Sequence, residues 1–85
     1  MTNELLRNAI MRSLHRVHPT PLRRATLCAE VELALGAPLT TREFDDESSA
    51  LRRLGLLAIG RDEMLGTPLY SLTRAGQAAA AKAFE

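Results

Sequence analysis

The stretch Thr40 to Leu57, TTREFDDESSALRRLGLL, reads as one helix with both ends written locally and a strand beginning after it. Thr40 and Glu43 stand at the Thr-x-x-Glu spacing of a capping box, in which each side chain satisfies a backbone N–H left free at the helix start. Leu39 before the cap and Phe44 at the fourth helical position are spaced for a hydrophobic staple, which fixes the angle of chain entry. At the far end Gly55 can adopt the left-handed conformation and fold Leu56 back onto Leu51. The spacing predicts a helix over about Thr41 to Leu54. Its core side is expected to be Phe44, Ala50, Leu51 and Leu54, with Arg42, Asp45, Asp46, Ser49, Arg52 and Arg53 outward. Glu47 falls on the core side by angle and is expected at its edge, meeting an arginine from another helix.

Working upstream, Pro19-Thr20-Pro21 and Gly36-Ala37-Pro38 bracket a second helix. Thr20 is its expected cap and Pro21 its first residue, where the missing N–H costs nothing. Leu22, Ala25, Ala29 and Leu33 fall on one side of it, and Leu27, Val31 and Leu35 on the other. A helix apolar nearly all round is usually buried, so it is expected to be the middle helix of a three-helix core. The sharper alternative makes the Leu27, Val31 and Leu35 side a dimer surface. A first helix is expected from a cap at Thr2 to about His18, with Leu5, Leu6, Ala9, Ile10, Leu14 and Val17 toward the core.

Downstream, residues 56 to 61 and 68 to 72 read as two strands joined by Asp62 to Thr67. Pro68 suits only an edge or a strand start. Thr73 then caps a last helix from Arg74 to about Phe84, whose four consecutive alanines favour helix and permit close approach of a neighbour.

At 85 residues the chain has room for one core, so a single domain over residues 1 to 85 is expected. The apolar and charged fractions, 46% and 25%, are those of an ordinary globular protein. There is no bilayer-length apolar run and no signal-peptide pattern, so a cytoplasmic location with no membrane partner is expected. The net charge of +1 hides an asymmetry: residues 1 to 24 carry +4, residues 25 to 63 carry −4, and the remainder +1. The arginines at 7, 12, 16, 23 and 24 could form a phosphate patch or an ordinary solvated face. Their opposition to the acidic middle suggests head-to-tail self-association.

Helix, helix, turn, helix, hairpin, helix is the order of winged helix-turn-helix domains. The phrase Ala50-Leu51-Arg52-Arg53-Leu54-Gly55-Leu56-Leu57 resembles the end of a recognition helix running into a wing strand. Tyr70-Ser71-Leu72-Thr73-Arg74-Ala75-Gly76 resembles a second wing strand running into the last helix. Both are similar to phrases of MarR- and PadR-type bacterial regulators and of small bacterial and prophage winged-helix proteins. The resemblance implies a mainly α (α+β) fold with a three-helix core, a two-stranded hairpin wing and a C-terminal helix. It further implies a small regulator that binds double-stranded DNA as a homodimer paired through its first and last helices.

On that reading the Thr40 helix enters a major groove. Ser49 and Arg53 become candidates for base contacts, Arg42 and Arg52 for bases or phosphates, and Arg61 for the flanking backbone. Two features depart from the pattern: Asp45 and Asp46 on the outward face, and an acidic, apolar wing tip, Asp62-Glu63-Met64-Leu65-Gly66. They support an alternative in which a degenerate winged helix is a protein-interaction module contacting its partner through Asp45, Asp46, Met64 and Leu65. The bland reading of the helix charges is that Arg42 pairs with Asp45 or Asp46 along the surface while Arg52 and Arg53 complement the helix dipole.

Enzymatic chemistry is not expected. There is no glycine-rich phosphate loop, no Ser-His-Asp set and no isolated buried carboxylate pair. His15 and His18 are spaced i, i+3 but lack further ligands, so neither a metal site nor a cofactor is expected. Cys28, in the most apolar helix, reads as a small buried hydrophobe.

Overall fold

The computed structural model describes residues 4–84. Its elements run α1 (Glu4–Val17), β1 (Leu22–Arg23), α2 (Arg24–Leu35), α3 (Thr41–Arg53), β2 (Leu57–Arg61), β3 (Pro68–Leu72) and α4 (Arg74–Phe84). The sheet is antiparallel in the order β1-β3-β2, with Leu57 opposite Leu72, Arg61 opposite Pro68 and Leu22 opposite Tyr70. This is a winged-helix fold with three strands instead of the expected two. The expected cap at Thr2 lies outside the described residues.

Both ends of α3 follow their local motifs. The Thr40 Oγ1 accepts from the Glu43 N–H at 3.1 Å, and the Glu43 carboxylate accepts from the Thr40 N–H at 3.2 Å. At the other end the Gly55 N–H donates to the Arg52 carbonyl at 3.0 Å and the Leu56 N–H to the Leu51 carbonyl at 3.1 Å. That pair of bonds is a Schellman motif, and Gly55 supplies the positive φ of 77° it needs. Leu54, expected in the core, is 58% exposed. It is the C-cap, where the chain leaves the helix, and so falls beyond the contact face.

The start of α2 is a correction. Thr20 and Pro21 do not begin it; Leu22 and Arg23 extend along β3, and the helix starts at Arg24 with no side-chain cap on Arg23. Proline's fixed φ suits extended chain as well as a first helical turn, and the open edge of β3 decides between them. The central helix is also α1, not α2. It buries Leu6, Ala9, Ile10, Met11, Ser13 and Leu14, whereas α2 buries Leu27 and Val31 alone. The side of α2 offered as a dimer surface is thus its core side. Leu33 on the other side is 83% exposed. Apolar residues spread all round a helix carry no angular information, so the sequence of α2 could not choose its buried face.

Phe44, Ile10, Leu14, Leu27, Leu51 and Val31 are fully buried where α1, α2, α3 and the sheet meet. Each such side chain contributes about 1.5–3 kcal/mol of burial. Leu5, expected with them, is 76% exposed at the margin of α1.

A junction ties the far end of α3 to α4. The Thr73 hydroxyl donates to the Gly55 carbonyl at 2.6 Å and accepts from the Gly76 N–H at 3.0 Å, and so caps α4 as expected. The Thr73 N–H donates to the Leu56 carbonyl at 3.1 Å. Gly76 lies so close that a Cβ there would stand 2.0 Å from the Leu56 oxygen.

Candidate nucleic-acid interface

The outward face of α3 carries Arg42, Asp45, Asp46, Ser49, Arg52 and Arg53, all exposed. The capping box and the buried row Phe44, Glu47, Ser48 and Leu51 turn that face to solvent. Glu47 is on the core side as its angle indicates but is buried, not at the edge, and it meets the expected arginine from another helix, Arg7 of α1, whose Nε donates to its carboxylate at 2.6 Å. The Ser48 hydroxyl donates to the Phe44 carbonyl at 2.7 Å, a bond within its own helix.

Neither aspartate stands unpaired. Arg24, the first residue of α2, donates to Asp45 at 2.5 Å and to the Tyr70 hydroxyl at 3.2 Å. Its guanidinium lies 4.9 Å from the centre of the Phe44 ring, which in turn meets Tyr70 edge-on at 5.4 Å. The hydrogen bond to Asp45 raises the Arg24 pKa further, outweighing the opposing effect of partial burial. Asp46 faces Arg42 one turn away at 4.0 Å, a weak exposed contact. Arg52 and Arg53 occupy the last turn with no carboxylate partner among the described residues, where their charge complements the helix dipole.

Four of the five N-terminal arginines are matched in the same way. Besides the pairs of Arg7 and Arg24, Arg16 meets Glu30 at 2.6 Å and Arg23 meets Asp62 at 3.3 Å. The segment is therefore not a free phosphate patch. Most of its charge opposition to the acidic middle closes within the chain, and Arg12 alone of the five is left without a carboxylate partner among the described residues.

In the wing, Arg61 donates to the Gly66 carbonyl at 3.0 Å and is exposed at the end of β2. Met64 is 92% and Leu65 64% exposed at the tip. Arg23 and Arg24 are consecutive, so the start of α2 touches both the wing base and the first half of α3. Sequence reasoning missed this linking role for Arg24. Its partners lie 21 and 46 positions away, beyond the reach of any local pattern.

The remaining candidates for chemistry have ordinary surroundings. His15 Nδ1 lies 3.3 Å from the side-chain amide oxygen Oε1 of Gln77, and its ring lies against that of Phe84. Among the described residues no three metal-ligating side chains converge. Cys28 is half-buried against the core, and that burial raises its thiol pKa. No helix among the described residues is long and apolar enough to cross a membrane.

No family model matches the sequence, and no curated protein matches it. Two solved structures do resemble the fold. The X-ray structure of a PadR-like transcription factor from Bacteroid fragilis superposes with a TM-score of 0.77 at 18% identity, over 93% of this chain and 76% of that one. The crystal structure of SSV1 F-93 superposes with a TM-score of 0.67 at 20% identity, over 89% of this chain and 79% of that one.

Proposed function

We propose that this chain is a small DNA-binding, transcription-regulator-like protein that offers the outward face of α3 to a major groove. The observation that carries this reading is the Arg24–Asp45 pair. Two adjacent aspartates on that face would repel phosphate. With Asp45 held by Arg24 and Asp46 facing Arg42, the charge left over is that of Arg52 and Arg53. Ser49 and Arg53 then suit base edges, Arg52 bases or phosphates and Arg61 the flanking backbone, while Arg42 reaches a base or phosphate by leaving its weak contact with Asp46. Likeness in fold to a PadR-like transcription factor supports the same role. Pairing of two copies through α1 and α4 belongs to this proposal, because it would double the phosphate contacts and set half-site spacing.

The test is fluorescence anisotropy of a labelled mixed-sequence duplex at low and near-physiological salt. Binding is expected to fall steeply with salt, and Arg52→Ala/Arg53→Ala is expected to weaken it and flatten the slope. Arg24→Ala, which leaves Asp45 uncompensated, is expected to weaken it severalfold. No binding at low salt overturns the proposal.

A second reading, a protein-interaction module using Asp45, Asp46, Met64 and Leu65, is favoured by the wing tip, which exposes two large apolar side chains beside an acid. Binding of that kind would depend on Met64 and Leu65 and be far less sensitive to salt.

A further inference from the structure

Once the ion pairs are made inside the chain, unmatched charge and exposed apolar side chains among the described residues coincide at Leu54 beside Arg52 and Arg53, already part of the face proposed for DNA, and in two further places. The first is a groove between α1 and α2, lined by Ala9 and Ala34 and edged by Leu5, Leu33 and Arg12. Leu5 and Leu33 are mostly exposed, although the other faces of their helices form the core. Glu30 in this groove is held by Arg16. Arg12, whose guanidinium lies 5.3 Å from the centre of the Phe84 ring, has no carboxylate partner among the described residues and gives the groove its positive charge.

The second place is the wing tip, where Met64 and Leu65 stand beside the exposed Glu63. The loop is ordered by its own bonds. The Asp62 carboxylate accepts from the Met64 and Leu65 N–H groups at 2.8 and 3.0 Å, and its carbonyl accepts from the Gly66 N–H at 2.8 Å. The Asp62 N–H donates to the Thr67 carbonyl at 2.8 Å, closing the loop. Two apolar side chains are thus presented on a loop that loses little entropy when they are covered.

Groove and tip lie toward opposite ends of α2. Arg23, next to its first residue, meets Asp62 at the wing base. Leu33 lies about 15 Å farther along at the helical rise. One molecule cannot close such a contact on itself.

We propose that the wing tip, Glu63-Met64-Leu65, seats in the α1–α2 groove of a second copy of this chain. Met64 and Leu65 cover Leu5, Leu33 and the alanine floor, and Glu63 faces Arg12. The second copy is the occupant because the tip brings together on one loop the apolar surface and the negative charge that the groove complements. The contact is heterologous, so each added copy presents a fresh tip and a fresh groove, and assembly continues instead of closing. This inference rests on the wing tip being a contact surface and does not depend on DNA binding.

Sedimentation velocity over a concentration series tests it, with the wild type beside Met64→Asp/Leu65→Asp and Leu33→Asp. All three substituted side chains are exposed, and circular dichroism checks that the variants fold. The wild-type mean mass is expected to rise steadily with concentration. Each variant is expected to level off no higher than a closed pair, and their equimolar mixture to run heavier than either alone, because an intact groove then meets an intact tip. Closed pairing through α1 and α4 stops at two copies, so growth beyond a pair in the wild type is what reports this contact. Arg12→Glu and Glu63→Arg should each weaken assembly, and their combination should restore it. A wild-type mass that levels off at or below a closed pair, or a mixture no heavier than its parts, overturns the proposal. Loss of assembly in the tip variant but not in Leu33→Asp also overturns it, while leaving the tip as a contact surface for another site.

Discussion

Helices α2 and α3 are nearly equal in length, 12 and 13 residues, and are held in opposite ways. The first turn of α3 is closed by Thr40 and Glu43, three positions apart, and its last by Gly55 and Leu56 folding back on Arg52 and Leu51. The first turn of α2 has no side-chain cap of its own. It is held by Leu22 and Arg23 lying along β3 and by Arg24 reaching Asp45 and Tyr70. The difference separates boundaries that can form before the chain folds from boundaries that exist only once the sheet does. The helix proposed for recognition is of the first kind, so its face is set by its own sequence. The helix that neutralises part of that face is of the second.

The strongest way to break this comparison is to disturb the place where the locally written end of α3 meets α4. Gly76→Ala would drive a methyl into the Leu56 carbonyl, and neither backbone can yield cheaply. A loss of about 3 kcal/mol or more is expected in urea denaturation, as for other severe overpacking. A near-neutral result would mean that the junction is loose. Next in size is a contrast within α2. Leu27→Ala should cost about 2–5 kcal/mol, whereas Leu33→Ala should change stability by no more than about 0.5 kcal/mol. Equal losses would return Leu33 to the core.

A smaller effect belongs to the cap of α3. Thr40→Ala is expected to cost about 1 kcal/mol, read as a shift in the urea midpoint without a change in slope. At Arg23, the start of α2 offers no side-chain cap to remove. The smallest effect is at the wing base, where the Leu65 and then the Met64 N–H groups hold the Asp62 carboxyl below its ordinary value of 3.8. A carboxylate with a depressed folded pKa supports the loop above that ordinary value and loses its effect as pH falls through the lower folded one. The Met64 and Leu65 amide resonances should therefore shift with a midpoint below 3.8, and Asp62→Asn should abolish the transition. A midpoint at or above 3.8 would detach the loop order from this carboxylate.

The same division explains what could be read from the chain itself. The limits of α3, the cap at Thr73 and the strands of the wing came from neighbours within a few positions. The buried Glu47 was legible by helical angle, and its arginine partner was anticipated by type but not by number. Strand β1 was not legible, because Thr20-Pro21 reads equally well as a helix start and as extended chain, and the choice rests with β3, whose Leu69 and Tyr70 lie 46 and 48 residues beyond their partners Arg23 and Leu22. The buried side of α2 was hidden by its uniform apolarity. Of the candidate site, the exposure of Arg42, Ser49, Arg52 and Arg53 followed from the pattern of α3. The pairing that removes Asp45 from the charge of that face depended on a contact between helices.

The Thr73 hydroxyl, described above as a cap, also acts as a mechanical coupling. It holds the carbonyl that ends one helix and the amide that begins another, while the Leu56 backbone runs against Gly76 with no side chain between them. Two rods joined through a pin this short share one fixed junction, so the angle between the exit of α3 and the entry of α4 is set by a hydroxyl and two backbones and not by side-chain packing.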